Sequence, residues 1–338
     1  MHRFKALLKK GVVFLCFSYS FLLVIWFLLR WLTFDQFWLL AIINTTIFYF
    51  FLPLPILMLL SIMQRLKWSF IVLLLPLGIF VYFWGILFLP SLDIANDRPE
   101  RKYLSAMSFN VLYSNQTPNS LAASIETAAP DIVGLQELAP HIIDSLKANT
   151  HDEYPHHTFD LFEPKGVGLL SRYPIISATQ FYFPPRDDLA IHTIVDVNGQ
   201  LIHVFVVHFS ANNFFDNPVS QLPELATERY SYRANQINSL RDELKTVEDP
   251  IILMCDCNFT DTSEAYFRLN QVLNDSYRSA GWGFGHTLHP EESPFRVQRI
   301  DYVWHSNDFE TSASYVVEQN GGSDHHPLLS ILNYDGKN

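Results

Sequence analysis

The segment Gly321–Leu329, GGSDHHPLL, puts one acid and two imidazoles on a turn just before an apolar run. Paired glycines bend a backbone where side chains must be aimed, and loops on a rigid base often carry function. A single histidine is ordinarily a structural residue. The segment gains meaning only if other parts of the chain present matching groups, and five do. MSFN ends in Asn110 and DIVGLQE in Glu137. VFVVHFS carries His208, IILMCDCN carries Asp256 and Asn258, and RIDYVW carries Asp301. Each follows or opens a short apolar run, so each reads as a strand end. Strand ends converge on a rim, where such groups meet.

The spacing of apolar runs predicts strands at Tyr103–Phe109, Ile132–Leu135, Val167–Leu170, Ile175–Phe183, Ala190–Val197 and Leu201–Val207. Further strands are predicted at Ile251–Met254, Ile300–Trp304, Ser314–Val317 and Pro327–Leu332. Helical periodicity covers Ser120–Ala128, His141–Ala148, Glu228–Thr246 and Ser263–Gln271. Many strands with few helices between them imply an α/β fold of two packed sheets with helices outside, a four-layer α/β/β/α sandwich.

The polar residues narrow the chemistry. Glu137, Asp256 and Asp324, with the amides of Asn110 and Asn258, are hard oxygen donors. They suit Mg²⁺, Mn²⁺ or Ca²⁺ better than zinc or copper. Such a cation keeps open positions for phosphate oxygens, and nearby histidines then move protons or donate to a phosphoryl oxygen. No Ser-His or Cys-His nucleophile pattern occurs, so water is the simpler attacking group. A glycine-rich phosphate loop and a dinucleotide fingerprint are also absent from the sequence. Cys255 and Cys257 stand two apart, a spacing that rarely makes an unstrained disulfide, so they are expected to be buried thiols.

In order and spacing, MSFNVLYSN, DIVGLQE, GVGLLSRYPI, VFVVHFS, CDCN, RIDYVW and GGSDHHPLL resemble the endonuclease/exonuclease/phosphatase superfamily, the DNase I-like fold. The resemblance covers about residues 103 to 333. It implies that Glu137 is the main metal ligand, with Asn110 beside it and Asp324 on the metal side. It implies that Asp256 orients or activates the attacking water and that Asn258 holds a phosphate oxygen. His208 is implied as a phosphate contact and acid. His325 is implied as the second catalytic histidine, with Asp301 as its carboxylate partner. His326 is expected to be non-catalytic. Cys255 stands where the family usually has glycine. Arg172 and Arg233 are candidate phosphate contacts.

Ahead of this domain the composition changes. Of 23 bases seven lie before residue 91, and of 34 acids only Asp35 does. The remainder therefore carries 16 bases against 33 acids, a formal −17. Three stretches, about 11–31, 37–63 and 68–90, are long and apolar enough to span a bilayer. The second contains Pro53 and Pro55, which leaves a re-entrant hairpin as the alternative. Residues 1–90 thus read as a membrane anchor, 91–102 as a charged linker and 103–338 as the catalytic domain. Arg3, Lys5, Lys9 and Lys10 precede the first span, and Arg65 and Lys67 separate the last two. Positive charge marks the cytoplasmic side, so the N-terminus is expected inside and the catalytic domain outside.

The expected activity is hydrolysis of a phosphoester, with the bilayer as the other partner and no protein partner inferred. Nucleic acid and lipid or inositol phosphate are both open as substrates. A catalytically silent binding module on the same fold is the further alternative. The domain's acidity weighs against broad polyanion binding, which draws on Lys and Arg.

Overall fold

The computed structural model describes residues 2–89, 102–161, 165–183, 188–212 and 217–335. The described chain forms two compact units. One comprises residues 1–88 with segments 213–230 and 261–264, and the other holds the rest. Nearly all of the expected linker, 91–102, lies outside the described residues; Lys102 already begins a strand.

The first unit contains α1 (His2–Thr33), α2 (Trp38–Phe50), α3 (Pro53–Met63) and α4 (Lys67–Trp84). Stretches Phe4–Thr33 and Lys67–Phe88 are long and apolar enough to cross a membrane. The expected middle span is two helices bent by 49° at a short break, so the unit has two helices long and apolar enough to span, or three spans if the bent pair counts as one. Pro53 opens α3, where its missing N–H costs nothing, and forces the break. Several buried polar groups of this unit are linked in one chain of hydrogen bonds. Trp26 Nε1 donates to Asn44 Oδ1 (2.8 Å), Asn44 Nδ2 to Asp35 Oδ1 (2.6 Å), and the Glu264 amide to Asp35 Oδ2 (2.8 Å).

The second unit is the sandwich. In chain order come β1 (Lys102–Asn110), α5 (Pro118–Ala128), β2 (Ile132–Leu138), α6 (Pro140–Thr150), β3 (His156–Asp160) and β4 (Gly166–Ser171). Then follow β5 (Ile175–Phe183), β6 (Asp188–Val197), β7 (Gln200–His208), α7 (Leu222–Leu244), β8 (Ile251–Asp256) and α8 (Glu264–Leu269). The chain closes with β9 (Asn274–Asp275), α9 (Ser276–Ala280), β10 (Asp301–His305), β11 (Phe309–Val316) and β12 (Leu328–Tyr334). The sheets have orders β11-β12-β1-β2-β4-β3 and β5-β6-β7-β8-β10-β9. Leu121 and Ile125 of α5 and Ile142 and Leu146 of α6 pack on Met107, Phe109, Val133 and Leu135 of the first sheet. Ile237 and Leu240 of α7 and Leu269 of α8 pack on Phe205, Leu253 and Trp304 of the second. The alternate residues of the same strands face the other sheet. This is the four-layer, DNase I-like architecture expected. β3, β9 and α9 were not expected: two are very short, and β3 is a half-exposed strand without an apolar run.

Cys255 and Cys257 form a disulfide, which corrects the expectation of two thiols. Cys257 lies just beyond the end of β8, where the chain leaves the pleat. The Cα atoms stand 5.1 Å apart, inside the bridging range.

Where the sheets meet, a Cβ on Gly134 would stand 2.7 Å from Met254 Cβ. Only glycine permits this approach. Gly134→Val is expected to destabilise the protein by about 1–3 kcal/mol through overpacking. The check is thermal unfolding of the detergent-solubilised full chain, and an unchanged midpoint would contradict it.

Candidate active site

The site follows from strand parity. On β1 the inward positions Leu104, Ala106 and Ser108 are buried, and the next is Asn110. On β7, Ile202, Val204 and Val206 lead to His208, and on β8, Ile252 and Met254 lead to Asp256. Register then aligns them. His208 pairs with Asp256 across the parallel β7–β8 ladder, and Asp256 pairs with Asp301 across antiparallel β8–β10. One rung of the second sheet therefore carries His208, Asp256 and Asp301 side by side. The first sheet contributes Asn110, whose Nδ2 donates to Asp256 Oδ2 at 2.8 Å.

Glu137 reaches the same point by a distortion. The β2–β4 register shifts between Gln136 and Leu138, so Glu137 sits in a β-bulge, with φ +59°. A left-handed non-glycine residue costs about 1–3 kcal/mol and persists where its surroundings enforce it. Asn258 shares this conformation, with φ +52°. The opening segment works similarly. Gly321 has φ +58°, and a Cβ there would stand 2.6 Å from Leu121 Cα. The turn is fixed by Ser323, whose hydroxyl donates to Asn110 O (2.7 Å) and accepts from the His325 amide (3.0 Å).

These constraints bring the reactive atoms together. His208 Nε2 lies 3.4 Å from Asp256 Oδ2 and 3.6 Å from Glu137 Oε1. His325 Nδ1 is 2.8 Å from Asp301 Oδ2, and its Nε2 is 4.0 Å from Asp256 Oδ2. The Asn258 amide donates from its backbone to Asp256 Oδ1 (3.1 Å) and from its side chain to Phe209 O (2.9 Å).

Charge states follow from burial and pairing. Burial opposes ionisation of Asp256, but His325, His208 and the Asn110 amide hold its pKa at about 2. Burial alone would discharge His325, yet Asp301, Asp256 and Asp324 raise it to about 10. Burial works against His208 too, and Asp256 and Glu137 outweigh it and raise its pKa. Glu137 is lowered despite burial by His208 and Lys165. Asp324 is raised, first by burial and then by the like charges of Glu137 and Asp256, against the pull of His325. It therefore lies within electrostatic reach of the cluster.

Ligand atoms of Glu137, His208 and Asp256 lie within 4.8 Å of one another. The His208 Nε2 is buried without an aligned hydrogen-bond partner. Two buried carboxylates with an amide beside them fit a hard divalent cation. Asp256, Asp301 and His325 also cluster, but the last two are committed to each other.

Two expected phosphate contacts are placed differently. Arg172 follows Ser171, which pairs with Ile132 at the start of β2, whereas Glu137 is near its end. Five residues at about 3.3 Å each separate them along the strand. Arg172 instead meets Glu153 at 3.3 Å and the Tyr154 ring. Arg233 is buried and donates to Ser210 O and Asn212 Oδ1, bracing the segment after His208. His326 lies off the cluster, as expected, against Val317 O and His289. The residue missed is Lys165, whose Nζ stands 2.6 Å from Glu137 Oε1. It precedes GVGLLS with no spacing that marks it.

A family model described as the Endonuclease/Exonuclease/phosphatase family matches residues 107–325. No curated protein matches the chain. An endonuclease/exonuclease/phosphatase from Beutenbergia cavernae is 23% identical with TM-score 0.55, covering 70% of this chain and 72% of its own. A mannosyl-6-phosphatase from Bacteroides thetaiotaomicron is 17% identical with TM-score 0.55, covering 68% and 99%. The human Nocturnin catalytic domain with bound sulfate is 16% identical with TM-score 0.53, covering 73% and 100%. These likenesses show the fold.

The His325 value lies above the ~6.5 of an unfolded histidine. Its stabilisation is thus complete below pH ~6.5 and lost as pH rises through about 10. Asp301→Asn removes its nearest partner, so stability should fall less steeply with pH across that window than in the wild type. Thermal midpoints in EDTA, from pH 6 to about 10, test this linkage. Parallel curves for the two proteins would refute it.

Proposed function

Since the chain belongs to the endonuclease/exonuclease/phosphatase family, we propose that it is a membrane-anchored hydrolase of phosphoester bonds that uses a divalent cation and takes water as nucleophile. The observation that carries this is the convergence of Asn110, Glu137, His208, Asp256, Asp301 and His325 at one end of the sandwich. That set is intact, which favours an enzyme over a silent binding module.

Roles follow from the charge states. Asp256, held near pKa 2, takes a proton poorly at neutral pH, so it orients the water rather than titrating. His325, held near 10, remains an imidazolium and stabilises charge developing on the phosphoryl oxygens. Asp301 fixes its direction by accepting from Nδ1. His208, between Asp256 and Glu137, is the group placed to pass a proton. Glu137, with Asn110 and Asp324 nearby, would hold Mg²⁺, Mn²⁺ or Ca²⁺. Such an ion supplies charge neutralisation and a lowered pKa of bound water.

For the substrate, the −17 of residues 91–338 favours a small or membrane-borne phosphoester over extended nucleic acid. A lipid or inositol phosphate fits a domain tethered to a bilayer. The mannosyl-6-phosphatase among the structural neighbours is an instance of the fold named for a small phosphomonoester. Extracellular nuclease activity is the second reading. With the α2–α3 pair as one span, an orientation with the domain outside the cytoplasm is supported by Arg3, Lys5, Lys9 and Lys10 ahead of the first apolar stretch and by Arg65 and Lys67 between the last two. The Cys255–Cys257 disulfide supports that side independently, because disulfides persist in oxidising compartments.

Two measurements test this. A panel of DNA, RNA, sphingomyelin, phosphatidylinositol and inositol phosphates, given to the full chain in detergent, should reveal one class turned over. EDTA should abolish the activity, and Asp256→Ala should lower kcat by about 10²–10⁴. Equal turnover by wild type and variant would refute the mechanism. A reporter fused after Asn338 should be active only outside the cytoplasm; cytoplasmic activity would reverse the topology.

A further inference from the structure

Lys165 is the lysine or arginine whose charge bears on both Glu137 and His208. Its position is set by the fold rather than by its own flexibility. Gly166, the next residue, pairs with Leu138 across the bulge that turns Glu137 into the site. A Cβ on Gly166 would stand closer to Asp160 O than any real contact, so the hairpin backbone is tightly closed there. The same distortion that aims Glu137 therefore aims it at Lys165. Lys165 Nζ takes Oε1 at 2.6 Å and lies 4.8 Å from the centre of the Tyr113 ring. Its side chain is 35% exposed, so it has a route to solvent.

Glu137 Oε1 is also 3.6 Å from His208 Nε2, and Oε2 accepts from the Tyr113 amide at 3.4 Å. A divalent cation bound by this carboxylate competes with the ammonium for Oε1, because both need the same lone pairs and repel each other. We propose that Lys165 is a substrate-phosphate residue, which a cation at Glu137 displaces from the carboxylate into the cleft mouth. The Tyr113 ring, which the ammonium already faces, can keep hold of it by a cation–π contact as it leaves the carboxylate. There it is free to meet a phosphoester oxygen. Arg172 and Arg233, the cations expected in that role, are instead engaged with Glu153 and with Ser210 and Asn212. Occupancy of the cation site and readiness for phosphate thereby become linked. The inference rests on the hydrolase reading for its substrate, but its first half concerns the cation alone.

The test is calorimetry on the full chain in detergent, with Mn²⁺ and then inorganic phosphate as probes. Lys165→Met should bind Mn²⁺ about tenfold or more tightly than wild type, the worth of one charge-assisted hydrogen bond. Its Mn²⁺-loaded form should bind inorganic phosphate about tenfold more weakly, and Lys165→Arg should restore phosphate binding. An unfolding midpoint close to wild type confirms that the variant is folded. Equal or weaker Mn²⁺ binding by Lys165→Met overturns the displacement, with the hydrolase reading intact. Unchanged phosphate binding overturns the substrate role. Absence of Mn²⁺ binding by the wild type would overturn both this inference and the metal-dependent reading.

Discussion

Three carboxylates, Glu137, Asp256 and Asp301, are buried at one end of the sandwich, and buried charge must be compensated. Much of the local architecture is that compensation. Asp301 faces His325, Asp256 faces His208, His325 and the Asn110 amide, and Glu137 faces Lys165 and His208. Removing one partner leaves a charge stranded, so the groups act as a unit. The two sheets, β1 and β2 on one side and β7, β8 and β10 on the other, contribute to the same cluster. Their packing at Gly134 and Met254 is therefore coupled to the electrostatics of the site.

Strain is placed where the pleat alone cannot deliver a side chain. Parity brings Asn110, His208, Asp256 and Asp301 inward at no conformational cost. Glu137 is off that parity and Asn258 lies beyond the end of β8, and both take a left-handed backbone. The Gly321–Gly322 turn does likewise with residues that permit it. The disulfide between Cys255 and Cys257 spans Asp256 and fixes the exit from β8.

Much of this was legible in the sequence because strand ends announce themselves: an apolar run stops and a polar group follows. Asn110, His208 and Asp256 are of that kind, Asp301 opens its run instead, and the register only had to align them. The bulge at Glu137 left no mark, since QE after an apolar run reads the same with or without a register shift. Lys165 was not legible because a surface lysine before a strand is commonplace, and only the fold shows what it faces. Arg172 was misjudged because closeness to a motif in sequence is not closeness in space: β4 runs antiparallel to β2 and carries it to the far end. The thiol expectation for Cys255 and Cys257 assumed a straight strand, and the strand ends between them. The bend between α2 and α3 lay in view at Pro53, but composition alone reads it equally as one broken span or two helices.

The charge states bear on how the site works across pH. Asp256 at about 2 and His325 at about 10 bracket the physiological range, so neither changes charge between pH 5 and 8. The anion proposed to orient the water and the cation proposed to meet the phosphoryl oxygens are then fixed charges, set before any substrate arrives. Fixed charges cost no reorganisation during the reaction, which is the advantage of a preorganised site. Their low and high pKa values also make them poor proton carriers. His208 stands between the Asp256 and Glu137 carboxylates, which raise its pKa against burial, so it too is biased toward the imidazolium. This arrangement of paired, opposite charges follows from burying three carboxylates with two histidines and a lysine.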